Sequence, residues 1–135
     1  MTRGKSPARR TEHPPPTFVE FASEDPAVTR RFLSSVFSWK FRSVRMPEGE
    51  YLSFRTPEGG QGGVRATRPT ESPSSLSYVR VADLEAALGK VQKAGGRIVL
   101  PRVDVPGMGS FFWFQIPGGP VLACWEDTPK GPAGR

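Results

Sequence analysis

Residue types able to do chemistry are sparse in this 135-residue chain. Glu20 and Arg80 each lie in a short apolar stretch, FVEFA and LSYVRV, that leads into an Asp and a helical pattern. A carboxylate facing a guanidinium could act as a general base with an electrostatic partner. The same two groups could instead form a structural ion pair or two solvated charges at a rim. Tyr78 and Gln115 add hydrogen-bonding groups, the latter closing the aromatic run Phe111-Phe112-Trp113-Phe114. Metal-binding types are scarcer still. The one His, His13, falls in a Pro-rich N-terminal segment, and the one Cys, Cys124, excludes an internal disulfide. Zinc needs three or four N, S or O ligands and hard cations need several converging carboxylates; neither set occurs in register here.

The elements that must position these groups come as two similar sets. The stretches FVEFASEDPAVTRRFLSSVFSWKF from Phe18 and LSYVRVADLEAALGKVQKAGGRIV from Leu76 superimpose at an offset of 58, aligning Asp25 with Asp83 and Phe37-Ser38 with Gly95-Gly96. Each predicts a strand, a capping Asp, an amphipathic helix, a turn and a second strand. In the first half, strands over 18–22, 40–45, 51–56 and 62–67 accompany a helix entered through Asp25-Pro26. Its Val28, Phe32, Leu33, Val36 and Phe37 recur at helical spacing and give one apolar face. In the second half, strands over 76–81, 97–103, 111–116 and 121–126 accompany a helix capped by Asp83, with Leu84, Ala87, Leu88 and Val91 on its face. Glu20 and Arg80 occupy equivalent places if the first strand-to-helix turn is two residues longer; a strict count from the capping Asp pairs Glu20 with Tyr78.

A chain of this length suits one domain built of two halves. The expected division is a basic, Pro-rich disordered tail over 1–16, a domain over 17–126 with modules 17–67 and 76–126 joined by a linker at 68–75, and a disordered tail over 127–135. The net charge of +6 concentrates outside the domain: 1–16 carries +3 and 127–135 carries +1, leaving +2 for 17–126. The tail lacks interleaved aromatics, so nucleic acid is not an expected partner, and a module using that tail to bind an acidic partner ranks last. No apolar run approaches membrane-spanning length and the N-terminus lacks the apolar stretch of a secretory signal, which makes a cytoplasmic location the expectation.

Several stretches resemble the vicinal oxygen chelate superfamily, the glyoxalase and bleomycin-resistance proteins: Glu24-Asp25-Pro26 leading to Phe37-Ser38-Trp39, YVRVADL at 78–84 leading to Gly95-Gly96-Arg97, PRVDVPGMG at 101–109, and 117–125 closing the chain. The resemblance implies an α+β fold in which two tandem β-α-β-β-β modules form one open, curved mixed sheet around a pocket, with helices outside. Most catalytic members hold a divalent metal, typically through a residue seven before the capping Asp in each half and another on the last strand. Those positions fall on Phe18, Leu76 and Ala123, which carry no metal donor, and no His, Asp or Glu occurs at 62–67. No metal or other cofactor is therefore expected.

Strand alternation then places Phe18 and Glu20, Leu76, Tyr78 and Arg80, and Ala123 and Trp125 on the pocket face, with Val19, Phe21, Val79, Val81 and Cys124 turned to the helices. Trp113 and Gln115 join the pocket if the aromatic strand presents that set. A cavity of this composition suits a small aromatic or hydrophobic molecule held by stacking, without a metal. Glu20, Arg80 and Tyr78 are the only candidates for catalysis, and an enzyme is the less favoured reading. The alternative is a metal-dependent lyase, isomerase or dioxygenase with atypical ligands. Homodimerisation is an expectation taken from the resemblance.

Overall fold

Asp25 and Asp83 start the two helices as the spacing predicts, because a short carboxylate just before a helix accepts an otherwise unpaired first-turn N–H. In the computed structural model, which describes residues 17–46 and 49–129, the Asp25 carboxylate accepts from Val28 N at 3.3 Å and that of Asp83 from Ala86 N at 3.0 Å. The described residues fall into two compact units that divide between Ser75 and Leu76. The first comprises β1 (Thr17–Ser23), α1 (Pro26–Phe37), β2 (Lys40–Met46), β3 (Gly49–Arg55) and β4 (Gln61–Ala66). The second comprises β5 (Ser74–Arg80), α2 (Leu84–Lys93), β6 (Arg97–Val105), β7 (Gly109–Gln115) and β8 (Val121–Asp127). This is the α+β architecture of tandem β-α-β-β-β modules that the sequence predicts.

The modules share one strand order. In the first it is β2-β3-β4-β1, with β1 parallel to β4 and the other pairs antiparallel. In the second it is β6-β7-β8-β5, with β5 parallel to β8. The helix supplies the crossover that a parallel neighbour requires. A buried cluster of Leu52, Phe54 and Val64 underlies the helix side of the first sheet, joined by Val19, Phe21, Trp39 and Phe41. Leu84, Phe112 and Cys124 form its counterpart in the second, with Val81, Ala87, Leu88, Val91, Ile98 and Phe114. Cys124 thus faces the helix, as alternation predicts.

Two expectations need correction. The apolar stripe of α1 does not pack on its sheet: Val28, Phe32 and Val36 are 48%, 60% and 54% exposed, and Phe37 is half exposed. The half-buried side of α1 carries Pro26, Thr29, Leu33 and Ser34, with Ser34 Oγ donating to the Trp39 carbonyl at 3.2 Å and Thr29 sharing a 2.7 Å hydroxyl bond with Ser23. The physical reason is volume. Trp39 stacks on Phe54 at 4.6 Å between ring centroids, and Phe21 and Phe41 close on the same ring at 5.9 and 5.4 Å, so rings already fill most of the space above the sheet and leave room for Leu33 among small helix side chains. The second correction is at the C-terminal side, where Asp127 belongs to β8 and Thr128 N donates to the Met108 carbonyl at 2.9 Å. Smaller shifts are the start of β5 at Ser74, inside the expected linker, and the extension of β6 through Val105. The remaining parts of the expected tails, 1–16 with His13 and 130–135, lie outside the described residues, as do Pro47 and Glu48. No helix among the described residues is long and apolar enough to cross a membrane.

Candidate functional site

In the first module, the sheet face away from α1 carries a polar cluster built by register. Glu20 pairs across β1 and β4 with Gly63, and Ser53 of β3 pairs with Gly63 from the other side. Gly63 is buried, and a Cβ there would collide with the Tyr51 ring. Glycine therefore lets that phenol lie flat over β4 and reach Glu20, donating to Oε2 at 3.1 Å. Two residues along β4, Arg65 donates from Nε to Glu20 Oε1 at 3.1 Å and forks onto both oxygens of Glu71 at 2.8 and 2.7 Å. Glu71 also accepts from Arg68 N at 2.9 Å. Phe18 lies half-buried two residues before Glu20 on the same strand.

The electrostatics follow from that fork. The Arg65 guanidinium is held protonated above its ordinary range, first by its bonds to Glu71 and then by the charge of Glu20, against the opposing cost of burial. Its partner Glu71 is pulled down from 4.5 to about 2, chiefly by the Arg65 hydrogen bonds. A bidentate, charge-assisted pair of this geometry is among the stronger polar contacts available to a protein.

In the second module the corresponding face is aromatic. Leu76, Tyr78 and Arg80 alternate along β5, and Tyr78 and Arg80 pair in register with Ala123 and Trp125 of β8, which pair onward with Trp113 and Phe111 of β7. Trp113 Nε1 donates to the Tyr78 hydroxyl at 3.2 Å. Phe111 meets Tyr78 edge-on at 5.9 Å and stacks with Trp125 at 6.1 Å. Tyr78 and Ala123 are buried, whereas Phe111, Trp113 and Trp125 keep partial exposure. Gly109 sits beside Trp125, where a Cβ would collide with the indole. Arg80 donates from one nitrogen to both oxygens of Asp127 at 2.9 Å, and Trp125 Nε1 donates to the same carboxylate at 2.8 Å. Gln115 turns its amide back to the Gly119 carbonyl of its own hairpin.

Four contributors escaped the sequence reading: Tyr51, Arg65, Glu71 and Asp127. Asp127 and Arg65 carried a signal, since each stands two residues beyond a pocket-face position on its strand, Trp125 and Gly63 respectively. Glu71 lay in the expected linker and carried none. The donor set does not fit the metal that the resemblance implies. Phe18, Leu76 and Ala123 offer only hydrocarbon, β4 offers Gln61 and Arg65, and the carboxylate of Glu20 is already met by a guanidinium. Among the described residues no group of three or more His, Cys, Asp or Glu converges in a way that could hold an ion. Cys124, buried among apolar groups, has its thiol pKa raised by that burial and stays protonated.

No family model matches the sequence. Curated relatives do: among them, a Mycobacterium tuberculosis protein, CFP32, whose name as a glyoxylase is itself provisional, is 25% identical over 117 residues covering 82% of this chain and 45% of its own. The anthracycline biosynthesis protein DnrV of Streptomyces peucetius is 24% identical over 128 residues, covering 82% and 46%. The chain thus spans about half the length of the curated relatives it matches. Among solved structures, a glyoxalase/bleomycin resistance protein/dioxygenase superfamily member from Vibrio splendidus superimposes with a TM-score of 0.64 at 18% identity, covering 82% of this chain and 97% of that one. Two β-α-β-β-β modules define the class by fold: the chain has the α+β fold of the glyoxalase/bleomycin resistance/dioxygenase superfamily, and these relatives support the resemblance to it.

Proposed function

We propose that this protein binds a small aromatic or hydrophobic molecule against the aromatic face of its second module, without a metal. The observation that carries this reading is the ordered set of Tyr78, Phe111, Trp113 and Trp125. Their mutual contacts hold the partly exposed rings of Phe111, Trp113 and Trp125 in fixed planes around the buried Tyr78, which favours stacking of a planar ligand at small entropic cost. Arg80, oriented by Asp127, supplies a directional charge at one edge, Leu76 and Ala123 supply apolar floor, and Gln115 lines the hairpin end. Phe18 and Glu20 line the equivalent face of the first module, where Glu20 is engaged by Tyr51 and Arg65 and is thus better suited to positioning a ligand than to taking a proton. The name of the anthracycline-pathway relative supports the same ligand class, because anthracyclines are planar fused aromatics.

The test is a fluorescence titration of chelator-treated protein with a panel of planar aromatics that includes an anthracycline. Saturable quenching of indole emission is expected, unchanged by the chelator and weakened in Trp125→Leu. A panel without any saturable response would sink the proposal. Binding that returns only after a divalent metal is added would favour the competing metal-dependent enzyme, which the sequence keeps open through its glyoxylase-named relatives.

A further inference from the structure

Arg65 is held from two sides. On the sheet side its Nε donates to Glu20 Oε1 at 3.1 Å, and Glu20 accepts in turn from the Tyr51 hydroxyl that Gly63 makes room for. On the outer side Nη1 and Nη2 fork onto Glu71 at 2.8 and 2.7 Å. The two carboxylates have different supports. Glu20 belongs to β1, whereas Glu71 comes from the turn Arg68-Pro69-Thr70-Glu71. That turn is closed by Glu71 N donating to the Arg68 carbonyl at 3.0 Å and by Arg68 N donating to the Glu71 carboxylate at 2.9 Å. Arg68, Pro69 and Thr70 are exposed, so polar contacts hold the turn more than packing does. It is also strained: Thr70 has a φ of 72°, a left-handed value that only Ser38, a helix cap, shares among the described non-glycine residues. Proline second and positive φ third is the pattern of a type II turn, whose third position ordinarily takes Gly or Asn, and a β-branched residue there is an outlier. Such an outlier persists only where its surroundings fix it. Here the fixing contact is the fork between Arg65 and Glu71.

We propose that the outer edge of the Arg65 guanidinium is a binding site for a small carboxylate ligand, and that Glu71 fills it as a tethered stand-in until a ligand displaces the turn. A planar carboxylate is what two parallel N–H donors recognise, and Glu71 already shows that geometry. Glu71 is also ionised through the neutral range, its pKa drawn down to about 2 chiefly by the Arg65 bonds, so it matches a ligand carboxylate in charge as well as shape. Exchange conserves charge at the fork, since one carboxylate leaves as another arrives. The guanidinium keeps its aim meanwhile, because its bonds to Glu20 and to the Ala66 carbonyl, the latter at 3.2 Å, do not involve the turn. Release relaxes Thr70, which offsets part of the lost fork. A purely structural ion pair has no need of that strain, since Gly or Asn at the same position allows the same bonds. The inference is independent of the stacking reading, since no residue of the second module takes part.

An NMR titration of the full chain with propionate, at an ionic strength held constant with sodium chloride, tests it through the Arg65 Nε–Hε signal and the Arg68 amide. Both should shift along one saturable curve, because a ligand that takes the fork also removes Glu71 from Arg68 N. Propionamide, the uncharged isostere, should shift neither. Two substitutions then move the affinity in opposite directions, because apparent affinity scales with the fraction of molecules whose fork is open. Glu71→Gln removes the competing charge and should tighten propionate about five- to thirtyfold, the factor expected for one partly exposed charged contact. Thr70→Asn relieves the left-handed strain, favours the closed turn and should weaken propionate about threefold or more. Far-UV circular dichroism verifies that Glu71→Gln folds; should it not, Thr70→Asn, which leaves the Arg65 bonds in place, gives the deciding measurement. No saturable shift in wild type and Glu71→Gln alike, an equal response to propionamide, or an affinity indifferent to the folded variants each overturns the proposal and leaves the fork a structural pair.

Discussion

Replacing Arg65 with Met removes one guanidinium and strands two carboxylates. Glu20 and Glu71 are only 13% and 22% exposed, and Arg65 itself 16%, so water replaces the lost bonds imperfectly. Breaking a fully buried pair costs about 3–5 kcal/mol, whereas exposed pairs are worth about 0–1 kcal/mol. The intermediate burial, the bidentate fork to Glu71 at 2.7 and 2.8 Å and the third bond to Glu20 place Arg65→Met at about 2–3 kcal/mol. Lysine in its place keeps the charge but not the planar fork, and should recover less than half of that.

The reasoning makes a sharper claim about coupling. Part of the Arg65→Met cost is the uncompensated Glu20 carboxylate, so Glu20→Gln should be destabilising in the wild type and less so, or favourable, without Arg65. A double-mutant cycle by urea denaturation, read at constant m-value, should give an interaction energy of about 1 kcal/mol or more. If Arg65→Met lies within the ±0.5 kcal/mol of an ordinary surface change, or the cycle closes with no coupling, the cluster does not hold the face together and the argument fails.

The same fork predicts an acid-sensitive term. Because the folded pKa of Glu71 is depressed to about 2 from 4.5, its contribution is complete above about pH 4.5 and is lost as the pH falls towards 2. Linkage sets this at no more than about 3.4 kcal/mol, and solvent screening at a partly exposed site reduces it to about 1–2 kcal/mol. Denaturation across that window should show the loss in the wild type and a flatter profile in Glu71→Gln; identical slopes would contradict the assignment. Gly63→Ala should cost about 2–4 kcal/mol, combining displacement of the Tyr51 ring with loss of its bond to Glu20. In a Tyr51→Ala background the same change should become nearly neutral, which thermal melting resolves.

What the sequence made legible was whatever depends on near neighbours. The Asp25 and Asp83 caps, the alternation that turns Cys124 inward, and the repeat itself all rest on spacings of a few residues, and all appear in the fold. The site was harder, because Arg65 chooses between carboxylates 45 positions before it and six after it, and no local pattern ranks those choices. The helix α1 shows a different limit. Periodicity establishes that Val28, Phe32 and Val36 share a face but not what that face meets. The contents of the core decide that, here Trp39, Phe41 and Phe54 occupying the volume under α1. An amphipathic pattern and an aromatic-rich sheet therefore compete for the same space, and the competition has a consequence for function. Filling the helix side with rings leaves the apolar stripe of α1 exposed. The opposite side of the first module is left polar, built on Glu20 and Arg65, while the second module keeps its rings exposed beside Arg80. The halves of one repeat have thus diverged in chemistry while holding the same strand order, which is why the proposed function places a stacking ligand on the second.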